Sequence, residues 1–272
     1  DFFSDQIFGG AELNDEELIN QLQNKKIRVK KINSHMVTKQ SIVDKKIIIS
    51  NFVNLPESIK NYISDNNLYL IYEHDHKYLA NRNPCAYKDF TAPQEKIINK
   101  YFYKNSNLII CQSKFHKDIL CSNLHIDNVE NASGNFWSEA SLNKISEFSK
   151  KQKRKSVSIM DSKNPLKNTQ GAIKFCKKNN LNYNLISNMP YFSFLDKISD
   201  SEQLVFLPRS PETLSRIVVE CRMMSMKVTT NKLIGASYED WFSISGIPLV
   251  DKMRLNKERI LNLILKKLKI EI

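Results

Sequence analysis

The chain has 272 residues, 41% of them hydrophobic and 26% charged, and its 41 basic side chains exceed the 29 acidic ones by 12. This length and apolar content suit two small domains or one large one with a sizeable core, while apolar stretches of only a few residues, such as Ile47–Ile49 and Ile217–Val219, exclude a transmembrane helix. Five cysteines, at 85, 111, 121, 176 and 221, are odd in number and form no CxxC, which argues for reduced thiols and against a disulfide framework or a zinc site.

The basic excess is mostly Lys spread along the chain, and it favours an anionic partner: a nucleoside diphosphate, an anionic lipid surface or a nucleic acid. No signal peptide is visible, so a cytoplasmic protein, peripheral at a membrane at most, is the expectation. The chain opens at Asp1 rather than Met, which leaves room for an N-terminal strand upstream.

In chain order, a loop ending in Gly9-Gly10 leads into a helix over Ala11–Asn24, with Leu13, Leu18, Ile19 and Leu22 on one face. Ile27–Ile32 and Lys46–Phe52 read as strands, and Pro56 opens a helix over Glu57–Ser64. Asn67–Tyr72 is an apolar strand that runs into Glu73-His74-Asp75-His76. A helix is expected over Ala92–Tyr103, a strand over Asn107–Cys111, and a helix capped by Ser113. The polar stretch 128–137 and a charged helix over 138–152 that ends in a basic run make 131–155 the domain boundary, giving domains 1–137 and 138–272.

The second half repeats the rhythm, with strands at Ser156–Met160, Asn182–Ser187, Gln203–Leu207 and Val228–Thr230. Helices alternate with them at Asn168–Lys178, Phe192–Ile198, Glu212–Met226 and Ser237–Phe242, and an amphipathic helix over Asn256–Lys269 closes the chain. Alternating strands and helices mean α/β domains with parallel sheets. Two such runs imply two Rossmann-like domains facing a central cleft, with ligands beyond the carboxyl ends of the strands.

The strongest chemical pattern is residues 206–231. An apolar strand ends at Leu207, a loop carries Pro208 and Pro211, Glu212 stands where a helix should begin, and Glu220 follows eight residues on. The N–H groups of Thr213, Leu214 and Ser215 at such a helix start would point at an anion. The two carboxylates suit hydroxyl groups of a sugar. The blander reading makes Glu212 a cap and Glu220 a surface residue, but Glu220 lies within the apolar run Ile217–Cys221, which implies a partly buried face.

This stretch resembles the E-x7-E motif of the retaining GT-B-fold glycosyltransferases of family four. By that resemblance Glu212 contacts the donor sugar and Glu220 the ribose hydroxyls, and Thr213-Leu214-Ser215 stands where the family commonly has Pro-Phe-Gly. Gly9-Gly10-Ala11-Glu12 looks like the family's GGxE loop, which approaches the donor. In 159–168, Lys163 and Lys167 match two basic residues that neutralise the diphosphate, although no Arg stands at the first position and Asn168 replaces the Gly after the second.

His74 matches a His that lines the cleft near the transferred sugar. His74-x-His76 is also a metal-ligand spacing without an evident third ligand, and Glu73 or Asp75 would serve as an alternative base.

The resemblance implies a glycosyltransferase that moves a sugar from a nucleotide-sugar donor to an acceptor glycan, lipid or small molecule with retention. No metal or other cofactor is expected, and no D-x-D is present. In this picture the catalytic set is His74, Lys167 and Glu212, and the donor-binding set is Gly9, Gly10, Lys163, Lys167, Glu212, Thr213, Leu214, Ser215 and Glu220. Two other readings stand beside it: an acceptor on nucleic acid, contacted through the basic surface, and an inactive nucleotide-sugar-binding protein of the same fold.

Overall fold

The structure is a computed structural model that describes residues 1–6 and 9–271. The chain folds as two compact units: Asp1–Phe136 together with Asn256–Ile272, and Trp137–Leu255.

In the first unit the chain runs α1 (Gly10–Asn24), α2 (Lys39–Ile42), β1 (Lys46–Ile49), α3 (Glu57–Asn66), β2 (Leu68–Tyr72), α4 (Lys100–Lys104), β3 (Leu108–Cys111), α5 (Lys114–Leu124) and β4 (Val129–Asn131). The four strands form one parallel sheet in the order β1-β2-β3-β4, with Ile48 beside Leu70 and Ile71 beside Ile109. The unbroken apolar runs of β2 and β3 fit this position, because helices cover both faces of a parallel sheet. One face packs Tyr69, Ile71 and Ile109 against Ile59, Ile63 and Leu120. The other packs Leu70, Tyr72 and Ile110 against Leu18 and Leu22 of α1. As expected from the sequence, Ser113 caps α5, its Oγ accepting from His116 N at 3.1 Å.

Three local expectations differ. The helix expected over Ala92–Tyr103 is only α4, because Ile98 N donates to Tyr78 O at 2.8 Å and Ala80 N to Lys96 O at 3.1 Å, and Asn99 then turns left-handed at φ 57°. Polar β4 was hidden in a stretch read as a loop. Ile27–Ile32, read as a strand, joins neither sheet and has no ladder partner among the described residues.

The second unit contains α6 (Glu139–Ser149), β5 (Arg154–Met160), α7 (Thr169–Lys178), β6 (Tyr183–Ile186), α8 (Tyr191–Ile198), β7 (Ser201–Val205), α9 (Arg216–Met223) and β8 (Lys227–Thr229). Its sheet is parallel in the order β6-β5-β7-β8. A large cluster including Trp137, Leu195, Leu204, Val218 and Met253 covers one face, and a smaller one with Val157, Ile159, Ala172 and Cys176 covers the other. Two 3-10 turns, Gly235–Tyr238 and Asp240–Ser243, replace the helix expected at Ser237–Phe242.

The last helix, α10 (Ile247–Lys267), starts nine residues before the expected Asn256 and corrects the second domain boundary. Ile260, Leu261, Ile264, Leu265 and Leu268 pack with Leu18, Leu70 and Ile110, and Arg259 donates to Asn131 O at 3.0 Å, so residues from Asn256 onward belong to the first unit. Among the described residues no helix is long and apolar enough to cross a membrane.

Candidate active site

The order of the second sheet creates a particular place. The chain leaves β5, builds β6 on one side, then crosses to build β7 on the other. In open α/β sheets the helices on either side of such a reversal diverge and ligands bind beyond the carboxyl ends of the strands, here β5 and β7. Two loops meet there, residues 161–168 and 206–215.

Both loops are held in place. Thr169 closes the first, its Oγ donating to Met160 O at 2.8 Å and accepting from Ser162 N at 3.1 Å. Two bonds then tie it to the second loop: Arg209 N donates to Leu166 O at 2.8 Å, and Asn168 Nδ2 to Leu207 O at 2.7 Å. The second loop is braced by the strand-like pairing of Glu212 with residues 233–235, Glu212 N donating to Leu233 O at 2.8 Å and Gly235 N to Glu212 O at 2.9 Å.

Lys167 lies between the two inter-loop ties. Its Nζ reaches both oxygens of the Glu212 carboxylate, at 2.7 and 3.0 Å, with 32% of the lysine and 17% of the glutamate side chain exposed. Two of the three residues given catalytic roles from the sequence are thus direct partners across the switch point. Lys163 lies exposed elsewhere on the first loop.

The helix expected to begin at Glu212 begins four residues later, at Arg216. Thr213, Leu214 and Ser215 are therefore not its first turn. Leu214 is a core residue whose carbonyl accepts from Ala236 N at 3.0 Å, and Ser215 is the N-cap at φ 73°. Arg216 and Ile217 take the first-turn positions whose N–H groups point along the helix axis. Ser215 is 7% exposed, and its buried Oγ has no hydrogen-bond partner.

Glu220, one turn further along α9, is 3% exposed. Its Oε1 accepts from Trp137 Nε1 at 3.0 Å and from Tyr191 OH at 2.7 Å, and lies 3.4 Å from Arg216 Nε. The Arg216 guanidinium stacks on Trp137, 4.6 Å from the ring centroid. Burial, followed by the Glu220 charge, pushes the Tyr191 phenol well up, so it stays a donor to that carboxylate. Rather than standing open for ribose hydroxyls as the sequence suggested, Glu220 ties α9, α8 and Trp137 together through Oε1.

Gly9, Gly10 and His74 belong to the first unit. Gly9 is the N-cap of α1 in ordinary extended backbone, and its carbonyl accepts from Leu13 N at 3.0 Å. What requires glycine there is close approach: a Cβ on Gly9 would collide with the Glu12 carboxylate folded over it. Gly10 is exposed.

His74 is fixed at both ring nitrogens. Gln112 Nε2 donates to Nδ1 at 2.6 Å, which puts the ring proton on Nε2, where it is given to Asp15 Oδ1 at 2.9 Å. The ring also stacks on Tyr72, with centroids 5.1 Å apart. With its lone pair and its proton both engaged, the imidazole bridges α1 to the carboxyl end of β2 and is no open base.

The neighbouring acids are likewise committed. Lys77, 2% exposed, lies 2.6 Å from Glu73 Oε1 and 2.8 Å from Asp75 Oδ1, and Tyr103 OH donates to Glu73. Burial pushes the Glu73 carboxyl up, with Lys77 opposing. Burial also acts on Asp75, but Lys77 and Arg82 outweigh it and hold that group at about 2. His76 and His116 pack edge to face with ring centroids 5.2 Å apart. Burial lowers the His76 ring to about 4 and the His116 ring well below its usual value. Among the described residues no three His, Cys, Asp or Glu side chains converge as metal ligands.

Sequence reasoning missed Arg216, Trp137, Gln112 and Asp15. Only Arg216 left a local signal, its spacing of four from Glu220 on a helix. Asp15 and His74 are 59 positions apart, and nothing near either one announces the pair.

Two α/β units, each a parallel sheet between helices, give this chain the GT-B architecture. Neither a sequence-family profile nor a curated protein matches it. Among solved structures it is similar to Anabaena HepE in complex with UDP and glucose, at 10% identity over 96% of this chain and 92% of that one, with a TM-score of 0.51. Two others are an alpha-glucosyltransferase in complex with UDP and a 13-mer DNA containing a HMU base (12% identity, 94% and 87% covered, TM-score 0.49) and WaaG, a glycosyltransferase involved in lipopolysaccharide biosynthesis (8%, 96% and 91%, 0.46). At such identities the likeness is one of fold.

Proposed function

We propose that this chain is a glycosyltransferase that takes a sugar from a nucleotide-sugar donor bound by its second unit, with retention and without a metal. The observation that carries this reading is the Lys167–Glu212 pair at the switch point, at 2.7 Å. An ammonium there stabilises the phosphates of a departing nucleoside diphosphate, and a carboxylate beside it accepts hydrogen bonds from the donor sugar's hydroxyls. The start of α9, four residues past Glu212, adds first-turn N–H groups, and the Ser215 Oγ at its N-cap is buried without a partner.

In this mechanism no side chain acts as nucleophile. The acceptor attacks on the face that the diphosphate leaves, and the protein's contribution is positioning and charge stabilisation. His74 contributes by holding α1 and the β2 loop in register.

A thermal-shift screen of nucleoside diphosphates and nucleotide sugars tests the reading. UDP, the nucleotide found with HepE, is the first probe. A saturating donor raises the melting temperature by mass action; a flat response across uridine, guanosine, adenosine and thymidine diphosphates and their sugars overturns it.

The charge of +12 favours a second reading of the acceptor as a nucleic acid. DNA binding that weakens steeply with salt, together with sugar transfer onto DNA, would support it.

A further inference from the structure

Two glutamates of the second unit each hold a basic side chain in the free protein: Glu212 holds Lys167, and Glu220 holds Arg216. The first pair carries the mechanism proposed above. The second, at the start of α9, has no part in it.

Arg216 is a cation in an unfavourable place. It is the first residue of α9, where the helix end carries a partial positive charge, and the first turn has no acidic residue to offset it. Buried partners steady it instead. Its guanidinium stacks on Trp137, 4.6 Å from the ring centroid, and hydrogen-bonds to the Tyr191 hydroxyl. Its Nε lies 3.4 Å from Glu220 Oε1, and only 11% of the side chain is exposed.

Glu220 does not depend on this cation. Its Oε1 accepts from Tyr191 OH at 2.7 Å and from Trp137 Nε1 at 3.0 Å, both shorter than the contact with Arg216. At 3.4 Å that contact lies beyond the usual range of an N–H···O bond. The carboxylate therefore keeps two hydrogen bonds if the guanidinium leaves, while the guanidinium gives up its weakest partner.

Ser215 is an independent sign of a ligand at this helix start. It is the N-cap of α9, yet its side chain makes no capping bond. The residue is 7% exposed, and its buried Oγ has no hydrogen-bond partner. A serine in this position ordinarily accepts from the first-turn N–H groups. An anion seated there accepts from both the hydroxyl and those N–H groups.

Resting on the nucleotide-sugar reading above, we propose that Arg216 is a phosphate ligand of the donor, stored on Trp137 and Glu220 in the free protein and turned onto the diphosphate when the donor binds. Its flexible three-methylene stem begins at a first-turn residue, so the guanidinium can reach an anion held at the helix start without the helix moving. The anion offsets both the guanidinium and the helix end, which removes their conflict. A planar guanidinium meets two phosphate oxygens at once, which an ammonium cannot do. Arg216 thus orients the diphosphate, and Lys167 adds charge.

The same arrangement helps the product leave. When the sugar has been transferred, Glu212 and Glu220 compete with the phosphates for the two cations. Each cation has a carboxylate to return to, and the nucleoside diphosphate is displaced without any charge being left buried alone.

Trp137 reports on the exchange. The chain has two tryptophans, so the indole N–H signal of Trp137 in nuclear magnetic resonance is assigned by comparison with Trp241→Phe. The full chain is titrated with UDP, or with the nucleoside diphosphate that gives the largest thermal shift. The Trp137 signal should move as the site fills. Arg216→Met should weaken binding roughly tenfold and abolish that movement at saturation. A Trp137 signal that stays fixed in the saturated parent, or an Arg216→Met protein that binds as tightly as the parent, overturns the proposal. If Arg216→Met does not fold, the parent titration still decides, because a fixed signal is enough to refute it. A screen in which no nucleoside diphosphate binds overturns the nucleotide-sugar reading itself, whereas binding that ignores Arg216 overturns this step alone.

Discussion

Replacing Lys167 by Met tests the proposed site most directly, because the structure fixes both what is lost and what is kept. The lysine is one-third exposed, and among the described residues its one ion-pair partner is Glu212. An ion pair of that exposure contributes at most about 1 kcal/mol to folding. Lys167→Met therefore leaves a folded protein, and a binding assay on it is interpretable.

For a bound diphosphate the loss is larger. A charge-assisted hydrogen bond is worth about 1.5–3 kcal/mol, so the dissociation constant for UDP should rise roughly tenfold to a hundredfold.

Glu212→Gln separates this reading from a general weakening of the loop. In the free protein Glu212 occupies the lysine's ammonium at 2.7 and 3.0 Å. Removing its charge frees Lys167, so UDP should bind up to about fivefold tighter, the counterpart of about 1 kcal/mol. Turnover of the nucleotide sugar should fall, because the sugar's acceptor of hydrogen bonds is gone. Isothermal titration with UDP and a coupled assay of UDP release read the two effects. If Lys167→Met binds UDP as the parent does, or Glu212→Gln weakens UDP as much as Lys167→Met, the assignment of the lysine to the diphosphate is wrong.

Other outcomes follow from the same geometry. Glu220→Ala should destabilise the second unit by about 3–5 kcal/mol, since it leaves the Arg216 charge buried against Trp137 without its carboxylate; a chemical denaturation midpoint within error of the parent would contradict this. Ser215→Gly should stabilise by up to about 1 kcal/mol, because φ 73° is strained for serine and free for glycine, and a loss of stability would mean that the buried hydroxyl contributes more than the strain. His76 is buried neutral, and its folded value of about 4 lies below the unfolded 6.5. The unfolded chain then binds more protons between those values, so His76 stabilises fully above pH 6.5 and loses about 3 kcal/mol as pH falls to 4. His116 acts in the same direction, and His76→Phe should flatten the stability profile across that window. Gln112→Ala removes the donor that sets the His74 tautomer, and should shift the His74 ring signals in nuclear magnetic resonance while leaving UDP affinity in the second unit unchanged.

Much of the second unit was legible because its elements obey local rules: apolar runs end where loops begin, and β5 to β8 recur with helices between them. Lys167 and Glu212 were readable as candidates since each follows a strand on the side where parallel sheets bind ligands. Their contact was not readable, as it depends on the crossing from β6 to β7 that makes the two loops neighbours. The start of α9 was misplaced because Glu212 looks like a helix-entry acid, whereas backbone pairing with Leu233 and Gly235 holds it extended. The allegiance of the closing helix was invisible for another reason. Its apolar stripe states that it packs but not on what, and only the complementary stripe of α1 and the exposed face of the first sheet decide that.

The departures from the family pattern bear on whether the site is intact. Where that pattern has glycine after the second basic residue, this chain has Asn168, and where it has glycine after Glu212-x-x, it has Ser215. Both residues sit in the left-handed region, at φ 57° and 73°, and both stand at the N-cap of a helix, α7 and α9. A change that abandoned the turn would have let the backbone relax to negative φ. Here the turn is kept although neither residue has glycine's freedom, and asparagine is among the side chains that tolerate it best. Asn168 also uses its amide to tie the Lys167 loop to Leu207, a bond glycine cannot make. The backbone shape that sets Lys167 against Glu212 thus stands without glycine at either turn, which favours the proposed catalytic reading over that of an inactive binding protein.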